Sequence, residues 1–137
     1  MRYRRLRVRY AMVAPTAHAW PYGELWPTDR LRILVQASWR PDADLYETAA
    51  SIEVAVELAG VDEDDVEIEL FDDVLVVGGR RRLPPAAPEA LYHAAGIRQG
   101  AFRLALPLPA RIDAEQVEAR YDRGLLRITL PKRAGAA

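Results

Sequence analysis

The fold class follows from one stretch of the chain, Ser51-Ile52-Glu53-Val54-Ala55-Val56-Glu57-Leu58. Aliphatic side chains recur at every second position, and Glu53 and Glu57 fall between them. A period of two residues is that of a β-strand with one face packed and the other face in water. Residues 65–70 repeat the alternation, with aliphatic residues against Glu67 and Glu69. Both segments are therefore predicted to be half-buried strands.

Further strands of this kind follow, separated by turn signals. Gly60 begins a turn after the first strand, and Asp62 is placed to cap one helical turn before the second. The tripeptide Asp122-Arg123-Gly124 marks a tight hairpin, in which Gly124 supplies the positive φ that such a turn needs. The other strand segments are residues 74–77, 102–108, 117–121 and 126–130. Many short strands separated by turns predict an all-β protein with a β-sandwich.

The chain divides into three parts. Residues 1–38 are predicted to form a partly ordered N-terminal arm, residues 39–132 a compact β domain, and residues 133–137 a short tail with nothing to bury. Arginine alternates with apolar residues over residues 5–10, which indicates an extended chain. The dipeptide Thr28-Asp29 is placed to cap a short helix later in the arm.

The charges are distributed unevenly along the chain. Residues 1–40 carry a net charge of +6, residues 41–79 carry −13 with no basic residue, and residues 80–137 carry +6, although the total is only −1. Such polarity suits self-association through opposite patches. The alternative, that the patches lie on different strands and are simply solvated, stays open at this point.

The residue inventory argues against catalytic and metal chemistry. The chain has no cysteine, which removes disulfides, thiolate nucleophiles and cysteine-ligated metals and fits a reducing compartment. His18 and His93 have no second ligand at metal-binding spacing, and Lys132, the only lysine, does not stand in a phosphate-binding loop of the Walker type. The acids at 62–65 lack the spacing of a calcium loop and indicate a solvated turn. We therefore expect no cofactor, no metal and no enzymatic activity.

Membrane insertion, export and nucleic-acid binding are not expected either. No apolar run approaches the roughly 18 residues of a membrane helix. The arginines of residues 2–9 and the tripeptide Ala17-His18-Ala19 look like parts of an export signal, but the stretch between them is short and broken by Pro15, so we expect a cytoplasmic protein. Arginines beside Tyr3 and Tyr10 suit nucleic acid, but no recognised binding module accompanies them.

Segments of the β domain carry the pattern of a known family. The octapeptide Ala119-Arg120-Tyr121-Asp122-Arg123-Gly124-Leu125-Leu126 fits A-x-x-x-x-G-[VIL]-L, and Thr129-Leu130-Pro131-Lys132 fits the usual domain end. The other segments are Trp39-Arg40-Pro41, Asp44-Leu45-Tyr46-Glu47-Thr48, Glu57-Leu58-Ala59-Gly60-Val61, Asp64-Asp65-Val66, Leu75-Val76-Val77-Gly78-Gly79-Arg80, Tyr92-His93 and Gly100-Ala101-Phe102. In order and spacing, residues 39–132 resemble the alpha-crystallin domain of bacterial small heat-shock proteins.

The resemblance implies an immunoglobulin-like β-sandwich and a dimer formed by strand exchange. In this exchange, a short strand from the long loop of one subunit pairs with the first domain strand of its partner. The residues concerned here are Leu91, Tyr92 and His93 on the loop and Asp44, Leu45, Tyr46 and Glu47 on the strand. Physical reasoning agrees, because an edge strand with free N–H and C=O groups favours the addition of a partner strand.

The family likeness further implies a groove between two strands, where an I-x-I-type motif of a neighbour's C-terminal extension docks. Residues 133–137 (Arg-Ala-Gly-Ala-Ala) contain no such motif, so assemblies made through that contact are not predicted. The groove itself is expected to remain and to bind a client or the arm. Its predicted lining is Val66, Ile68 and Leu70 on one strand and Val117, Ala119 and Tyr121 on the other.

The function implied by the resemblance is that of a stress-response chaperone, an ATP-independent holdase that binds partly unfolded proteins and prevents their aggregation. Expected partners are unfolding client proteins and further copies of the chain, in a dimer, a larger oligomer or a hetero-oligomer with a paralogue. The arm residues expected to contact clients are Trp20, Tyr22, Trp26, Leu31, Ile33 and Leu34. The alternative is a sandwich adaptor, related to CS-domain co-chaperones, that docks one folded chaperone. The long loop and the apolar arm favour the holdase.

Overall fold

The structure, a computed structural model, describes residues 4–5, 8–10 and 38–134 of the chain. This part of the chain contains nine β-strands and two single 3-10 turns. The strands are β1 (Arg4–Arg5), β2 (Val8–Tyr10), β3 (Ala43–Glu47), β4 (Ser51–Glu57), β5 (Val66–Leu70), β6 (Val74–Arg81), β7 (Gly100–Pro107), β8 (Glu118–Asp122) and β9 (Leu125–Pro131). The all-β class is confirmed. The helix predicted after Thr28-Asp29 lies outside the described residues.

The strands form two sheets that pack against each other. One sheet has the order β1-β8-β9-β4-β3, and the other has the order β2-β5-β6-β7. All pairs are antiparallel except the pair of β2 and β5, which is parallel. The chain changes sheet after β1, β2, β4 and β7, so each sheet combines strands from both halves of the domain. The predicted β-sandwich is confirmed.

The core lies between the sheets and follows the alternation in the sequence. In β4, Ile52, Val54 and Val56 are buried, while the residues between them are partly exposed. The opposite sheet contributes its own alternating side chains, since Ile68 and Leu70 of β5 are buried as well. The other large and fully buried side chains of the described core are Leu58, Leu75, Val77, Leu104, Leu126, Ile128 and Leu130. Aliphatic side chains from both inner faces thus interdigitate, as in sandwich cores generally.

Short capped turns set the starts of β5 and β8. The carboxylate of Asp62 accepts a hydrogen bond from the Asp64 N–H at 2.9 Å, which confirms the predicted cap and begins a 3-10 turn over Glu63–Asp65. Asp65 belongs to this turn, so β5 starts at Val66, one residue later than the predicted strand. A second turn, Ala114–Gln116, likewise delays β8 to Glu118.

The hairpin between β8 and β9 has the predicted backbone. Its two turn residues, Arg123 and Gly124, have φ values of 51° and 82°. Two consecutive positive φ values are typical of the type I′ turn, whose twist matches that of the flanking strands. The turn also supports the neighbouring chain, because the Leu58 N–H donates to the Gly124 carbonyl at 2.7 Å. Gly60, with φ of 76°, marks the other predicted turn.

Candidate docking groove and dimer edge

The two predicted walls of the groove lie at the same side of the sandwich. Apart from β1 and β2, β5 is the last described strand of one sheet on that side, and β8 is the last of the other. The lining residues Ile68, Leu70, Val117 and Ala119 are buried in one hydrophobic cluster, and Val66 and Tyr121 pack against it. All six predicted lining residues thus belong to the core cluster or pack against it, and their lining of a groove stays a prediction. An open cleft continues past Leu70, between Asp72 and residues 111–115.

The start of the chain pairs with both walls of this groove. β1 runs antiparallel to β8, and β2 runs parallel to β5. The register partners are Arg4 with Tyr121, Arg5 with Arg120, Val8 with Ile68, Arg9 with Glu69, and Tyr10 with Leu70. The extended conformation predicted for this segment is confirmed at residues 4–5 and 8–10. Because only two residues separate β1 from β2, the segment passes from one sheet to the other.

The hydrogen-bond alternation shows which backbone groups of β5 face the segment. The Phe71 N–H donates to the Val74 carbonyl at 2.8 Å, which makes residues 71, 69 and 67 the ones bonded to β6. Ile68 and Leu70 lie between them. Their backbone N–H and C=O groups therefore point to the opposite side, where β2 lies.

The hydrogen-bond alternation of β8 also shows which of its backbone groups face the segment. Its two-residue turn makes Asp122 and Leu125 a hydrogen-bonded pair, and Arg120 is bonded to β9 two residues earlier. The backbone groups of Ala119 and Tyr121 consequently face β1. Both walls thus direct N–H and C=O groups outward, at the positions where the segment pairs with them.

Tyr121 closes one end of the groove wall with a buried polar contact. Its hydroxyl donates to the Leu58 carbonyl at 2.6 Å. Burial raises the pKa of Tyr121, and the nearby carboxylates of Glu63 and Glu57 add to the increase, whereas the Val61 backbone and Arg81 oppose it. The neutral phenol is therefore the form that the fold stabilises.

The β5 wall is strongly acidic. Residues 62–73 contain eight acidic residues and no basic one, whereas residues 1–10 contain five arginines and no acid. The segment that contains β2 and the segment that contains β5 therefore have opposite charges. Such complementarity favours association and weakens as salt rises.

A second edge of the sandwich has no described strand beside it. β3 is the last strand of its sheet. The Thr48 N–H donates to Ser51 O at 2.8 Å and the Glu57 N–H to Asp42 O at 2.9 Å, so even-numbered residues of β3 bond to β4. The odd-numbered ones point their backbone groups away from the sheet, and they are Ala43, Leu45 and Glu47. Among the described strands, none pairs with this outer side.

The long loop between β6 and β7 exposes apolar side chains. Leu91 is 82% exposed, Tyr92 69% and Ile97 70%, and Tyr46 on β3 is 54% exposed. No strand pairing within the described part of the chain joins Leu91, Tyr92 or His93 to β3. The predicted contact between loop and strand is therefore not made inside one chain, which is the arrangement that an exchange between two chains requires.

The sequence pattern did not predict that Arg81, at the end of β6, is buried. It is only 8% exposed, and its guanidinium donates twice to the Arg98 carbonyl, at 2.8 and 2.6 Å, and once to the Ala59 carbonyl at 3.1 Å. It also lies over the Trp39 ring, 4.3 Å from the centroid. Since Arg81 ends β6 and Arg98 precedes β7, this cation holds the two ends of the long loop together. Three successive arginines at 80–82 gave no sign of which one is buried.

Trp39 joins this contact to β7. Its backbone pairs with the strand, its indole N–H donates to Gly100 O at 3.2 Å, and its ring lies 5.5 Å from that of Phe102. These contacts anchor Trp39 to β7. The predicted arm contacts with clients, which are Trp20, Tyr22, Trp26, Leu31, Ile33 and Leu34, lie outside the described residues.

Across residues 38–134 and the short strands before them, no three His, Cys, Asp or Glu side chains are grouped so as to hold a metal ion. In the same part of the chain, no helix has the length and apolar character needed to cross a membrane.

Known proteins share both the sequence and the fold. The chain is 30% identical over 93 residues to small heat shock protein C2 of Rickettsia felis. The aligned part covers 68% of this chain and 60% of that protein. It is 31% identical over 105 residues to heat shock protein 16 of Schizosaccharomyces pombe. This alignment covers 75% of this chain and 73% of the relative. Heat shock protein 16.0 of Schizosaccharomyces pombe has a solved structure that superimposes with a TM-score of 0.66 at 30% identity, over 73% of this chain and 93% of that one.

The model of the Hsp20/alpha crystallin family matches residues 44–137, which include every strand from β4 to β9 and most of β3. The sandwich, its groove and its open β3 edge all lie within or beside this match. The chain belongs to the Hsp20/alpha-crystallin family of small heat-shock proteins.

Proposed function

We propose that this protein is an ATP-independent holdase, which binds partly unfolded proteins and prevents their aggregation. The observation that carries the proposal is the groove between β5 and β8, whose two walls pair with one extended segment. An unfolding protein offers the same kind of ligand, an extended backbone with apolar side chains. Membership of the small heat-shock family supports the same role.

The strength of such binding suits a holdase. Removing apolar surface from water contributes about 25 cal/mol per Å². A few hundred Å² of client surface would therefore contribute on the order of 5–10 kcal/mol before the ordering of client and loops is subtracted. The remainder is enough to slow aggregation and leaves the complex reversible.

The functional unit is proposed to be a dimer formed by strand exchange. In it, Leu91, Tyr92 and His93 of one chain pair with residues 44–47 of the other. Two features support this arrangement, the outward-facing backbone groups of β3 and the exposed apolar side chains of the loop. A strand added at β3 would satisfy these groups and cover Leu91 and Tyr92.

The arm, residues 1–38, is proposed to add apolar client contacts and to promote larger assemblies, alone or with a paralogue. Light scattering on the full chain and on a chain starting at Trp39 tests this. A large assembly that falls to a dimer on truncation supports the role of the arm. A dimer in both cases would mean that the protein works as a small holdase or needs a tail-bearing paralogue in order to form larger assemblies. We place the protein in the cytoplasm, in agreement with the absence of cysteine.

The holdase proposal is tested by light scattering from an aggregating client. A heat-denatured or chemically reduced client is followed without nucleotide, with this protein or with the same mass of an inert globular protein. We expect scattering to fall as the ratio of this protein to client rises, and added ATP to change nothing. Equal scattering in the two mixtures would contradict the proposal. A stable stoichiometric complex with one folded chaperone, in place of client binding, would favour the adaptor function instead.

A further inference from the structure

One buried side chain of the sheet β2-β5-β6-β7 lies outside the core. Leu75 and Val77 of β6 belong to the core cluster, so Val76 between them points to the outer face of this sheet. Val76 is nevertheless only 2% exposed. Its register partners on the outer face are Glu69 on β5 and Ala105 on β7. A valine on the outer face of a sheet, beside an alanine, would ordinarily keep part of its surface in water.

The residues around Val76 give the outer face little relief of its own. Gly78 follows Val76 on this face, and its register partners are Glu67 on β5 and Arg103 on β7. Arg103 also points outward, yet burial lowers the pKa of its guanidinium. The face thus has a low apolar strip, formed by Val76, Gly78 and Ala105, with carboxylates on one side and a guanidinium on the other. The burial of two outward side chains indicates that this strip is covered.

The chain is attached to both edges of this sheet. β2 is parallel to β5 at one edge, and Trp39 forms a parallel bridge with Phe102 of β7 at the other. β5 and β7 run in the same direction, because each is antiparallel to β6. The chain at β2 and the chain at Trp39 are therefore parallel, on opposite edges of one sheet. Residues 11–37 connect them, and a connection between parallel strands crosses a face of the sheet.

The outer face is the one open to this connection, because the inner face packs against the other sheet. The handedness of the connection also selects the outer face. Seen from outside with β5 running upward, Glu69 points to the viewer, and an L-residue in that orientation directs its N–H and C=O groups to the right. These groups bond to β6, so β6, β7 and Trp39 lie to the right of β2. A connection across the outer face is then right-handed, as almost all such crossovers are.

We propose that the outer face of the sheet β2-β5-β6-β7 is a docking surface for residues 11–37 of the same chain. The connection is long enough. Four strand spacings of about 4.8 Å separate β2 from Trp39, roughly 19 Å in all, and the connection has 27 residues. This surface is separate from the groove and from the β3 edge, and the proposal does not depend on the holdase function.

The sequence of the connection suits the apolar strip. Leu31, Leu34 and Val35 share one side of the short helix that the sequence predicts after Thr28-Asp29, because their spacing is i, i+3 and i+4. Crossovers between parallel strands usually contain a helix of this kind. A strip without large side chains at two of its three positions lets the backbone of such a helix approach the sheet closely. The apolar side of the segment and the strip would then bury each other.

Photo-cross-linking from a single cysteine tests this location in the full chain. The chain has no cysteine, so Ala105→Cys can carry one benzophenone maleimide label on the outer face. Arg127→Cys is the matched control, because Arg127 is exposed on the outer face of the other sheet. After irradiation, denaturing gels separate products within one chain from products between two chains. Mass spectrometry of proteolytic peptides then identifies the residues that the label reached.

We expect cross-links within one chain from position 105 to residues 11–37, about tenfold more abundant than from position 127, since a docked segment has a high effective concentration at the label. Equal yields from the two positions, or no cross-link to residues 11–37, would overturn the proposal. Cross-links to these residues of a second chain would overturn it as well, because the surface would then bind a neighbour. Glu67→Cys, exposed on the same face, repeats the test if the label at position 105 lowers the melting temperature.

The reactivity of a thiol at the covered position gives a second test. We expect Val76→Cys to react slowly with a water-soluble disulfide reagent, and about tenfold faster once Leu31→Ser and Leu34→Ser remove apolar contact from the segment, because the face then opens more often. Ala11→Ser with Ala17→Ser, in the same segment but outside the predicted helix, should leave the rate unchanged. A rate at position 76 that ignores the leucine substitutions would contradict the proposal. Neither test measures client binding, so a failure of the holdase function would leave both results standing.

Discussion

The two open sides of this sandwich face the same physical problem and have different solutions. On the groove side, the outward backbone groups of β5 and β8 pair with β2 and β1 of the same chain. On the other side, β3 ends its sheet, and no described strand lies beyond it. An edge strand that stays uncovered favours association. The difference agrees with the proposal that a second copy of the chain pairs with β3, whereas the groove side pairs with strands of the same chain.

Charge follows the same division. The acidic β5 wall pairs with a segment whose charged residues are all arginines. The opposite charges therefore belong to the same chain. β3 and the residue before it contain Asp42, Asp44 and Glu47 and no basic residue, whereas residues 80–99 of the long loop and its flank carry four arginines and one acid. Of these arginines, Arg81 is buried and Arg82 pairs with Asp65 of its own chain, so the charges suit both self-association at β3 and simple solvation.

The largest effect is expected from Gly124→Val, which would disrupt the groove side through its hairpin. A Cβ at this position would lie 3.1 Å from both the Cα and the Cβ of Ala59, and φ is 82°. We expect the free energy of unfolding to fall by about 2–5 kcal/mol, because strain and overpacking add. Urea unfolding measures this. Arg123→Gly is the control, since it relieves a positive φ in the same turn and should leave stability unchanged or raise it.

Arg81→Leu is expected to weaken the β3 side through the long loop. The change removes three hydrogen bonds from a buried guanidinium and its contact with Trp39, and leaves the carbonyls of Arg98 and Ala59 without that donor. We expect a loss of about 2–4 kcal/mol in unfolding free energy together with a weaker dimer. Arg80→Leu, on an exposed neighbour, should change both quantities little. A stable Arg81→Leu dimer would mean that the loop does not depend on this contact.

Glu47→Pro is designed to block the β3 edge without breaking the sheet. The Glu47 N–H points away from β4, so proline removes only an edge donor. Across the two symmetric edges of a dimer, one lost hydrogen bond each amounts to about 1–3 kcal/mol, or about 5- to 150-fold weaker association. Sedimentation or light scattering across concentration measures this.

Two control variants show whether weaker association results from the loss of the Glu47 N–H. Glu47→Ala removes the ion pair with Lys132 but keeps the backbone N–H, and it should preserve the dimer. Tyr46→Pro removes a donor that bonds to β4, so it should reduce the stability of the sheet itself. If Glu47→Pro leaves association unchanged, β3 is not the dimer edge.

Tyr121→Phe is expected to have the smallest effect, and it tests the hydrogen bond that the Tyr121 hydroxyl makes at the groove wall. It removes the hydrogen bond to Leu58 O, which should lower the unfolding free energy by about 0.5–1.5 kcal/mol at neutral pH. Because the folded protein raises the pKa of Tyr121, the contribution is complete below the unfolded value of about 10 and is lost as pH rises through the folded pKa. The difference between the wild-type chain and the variant should therefore shrink above about pH 10. A difference that grows with pH would contradict this environment for the phenol.

The sequence predicted the features that depend on local pattern. The alternation in residues 51–58 gave the buried face of β4, and Gly124 gave the hairpin, because both follow from side-chain period and backbone preference over a few residues. The six residues predicted to line the groove were chosen for the same reason, since five of them lie on β5 or β8 and Val117 directly precedes β8. Their approach to one another came from the family resemblance. In the structure they belong to the buried core cluster or pack against it, and their role as the lining of a groove stays a prediction.

Other features depend on contacts between distant parts of the chain and were not predicted. The extended start of the chain was recognised, and the groove was expected to bind a client or the arm, but the register of residues 4–5 with β8 and of residues 8–10 with β5 was not predicted, because Arg4 and Tyr121 are far apart in sequence and no local signal joins them. Arg81 resembles Arg80 and Arg82 in any pattern, and only the carbonyls and the indole around it distinguish the buried one. Burial of a cation is decided by the partners that the fold supplies.

Native-state hydrogen exchange at two protein concentrations tests the contrast between the two edges most directly. The amides to compare are those of Ala43, Leu45 and Glu47 on β3 with those of Ile68, Leu70, Ala119 and Tyr121 on the groove walls. On dilution below the dimer dissociation constant, we expect the β3 amides to exchange about tenfold faster or more, while the groove amides keep their protection. Groove amides that lose protection on dilution, or β3 amides whose exchange does not depend on concentration, would contradict the account.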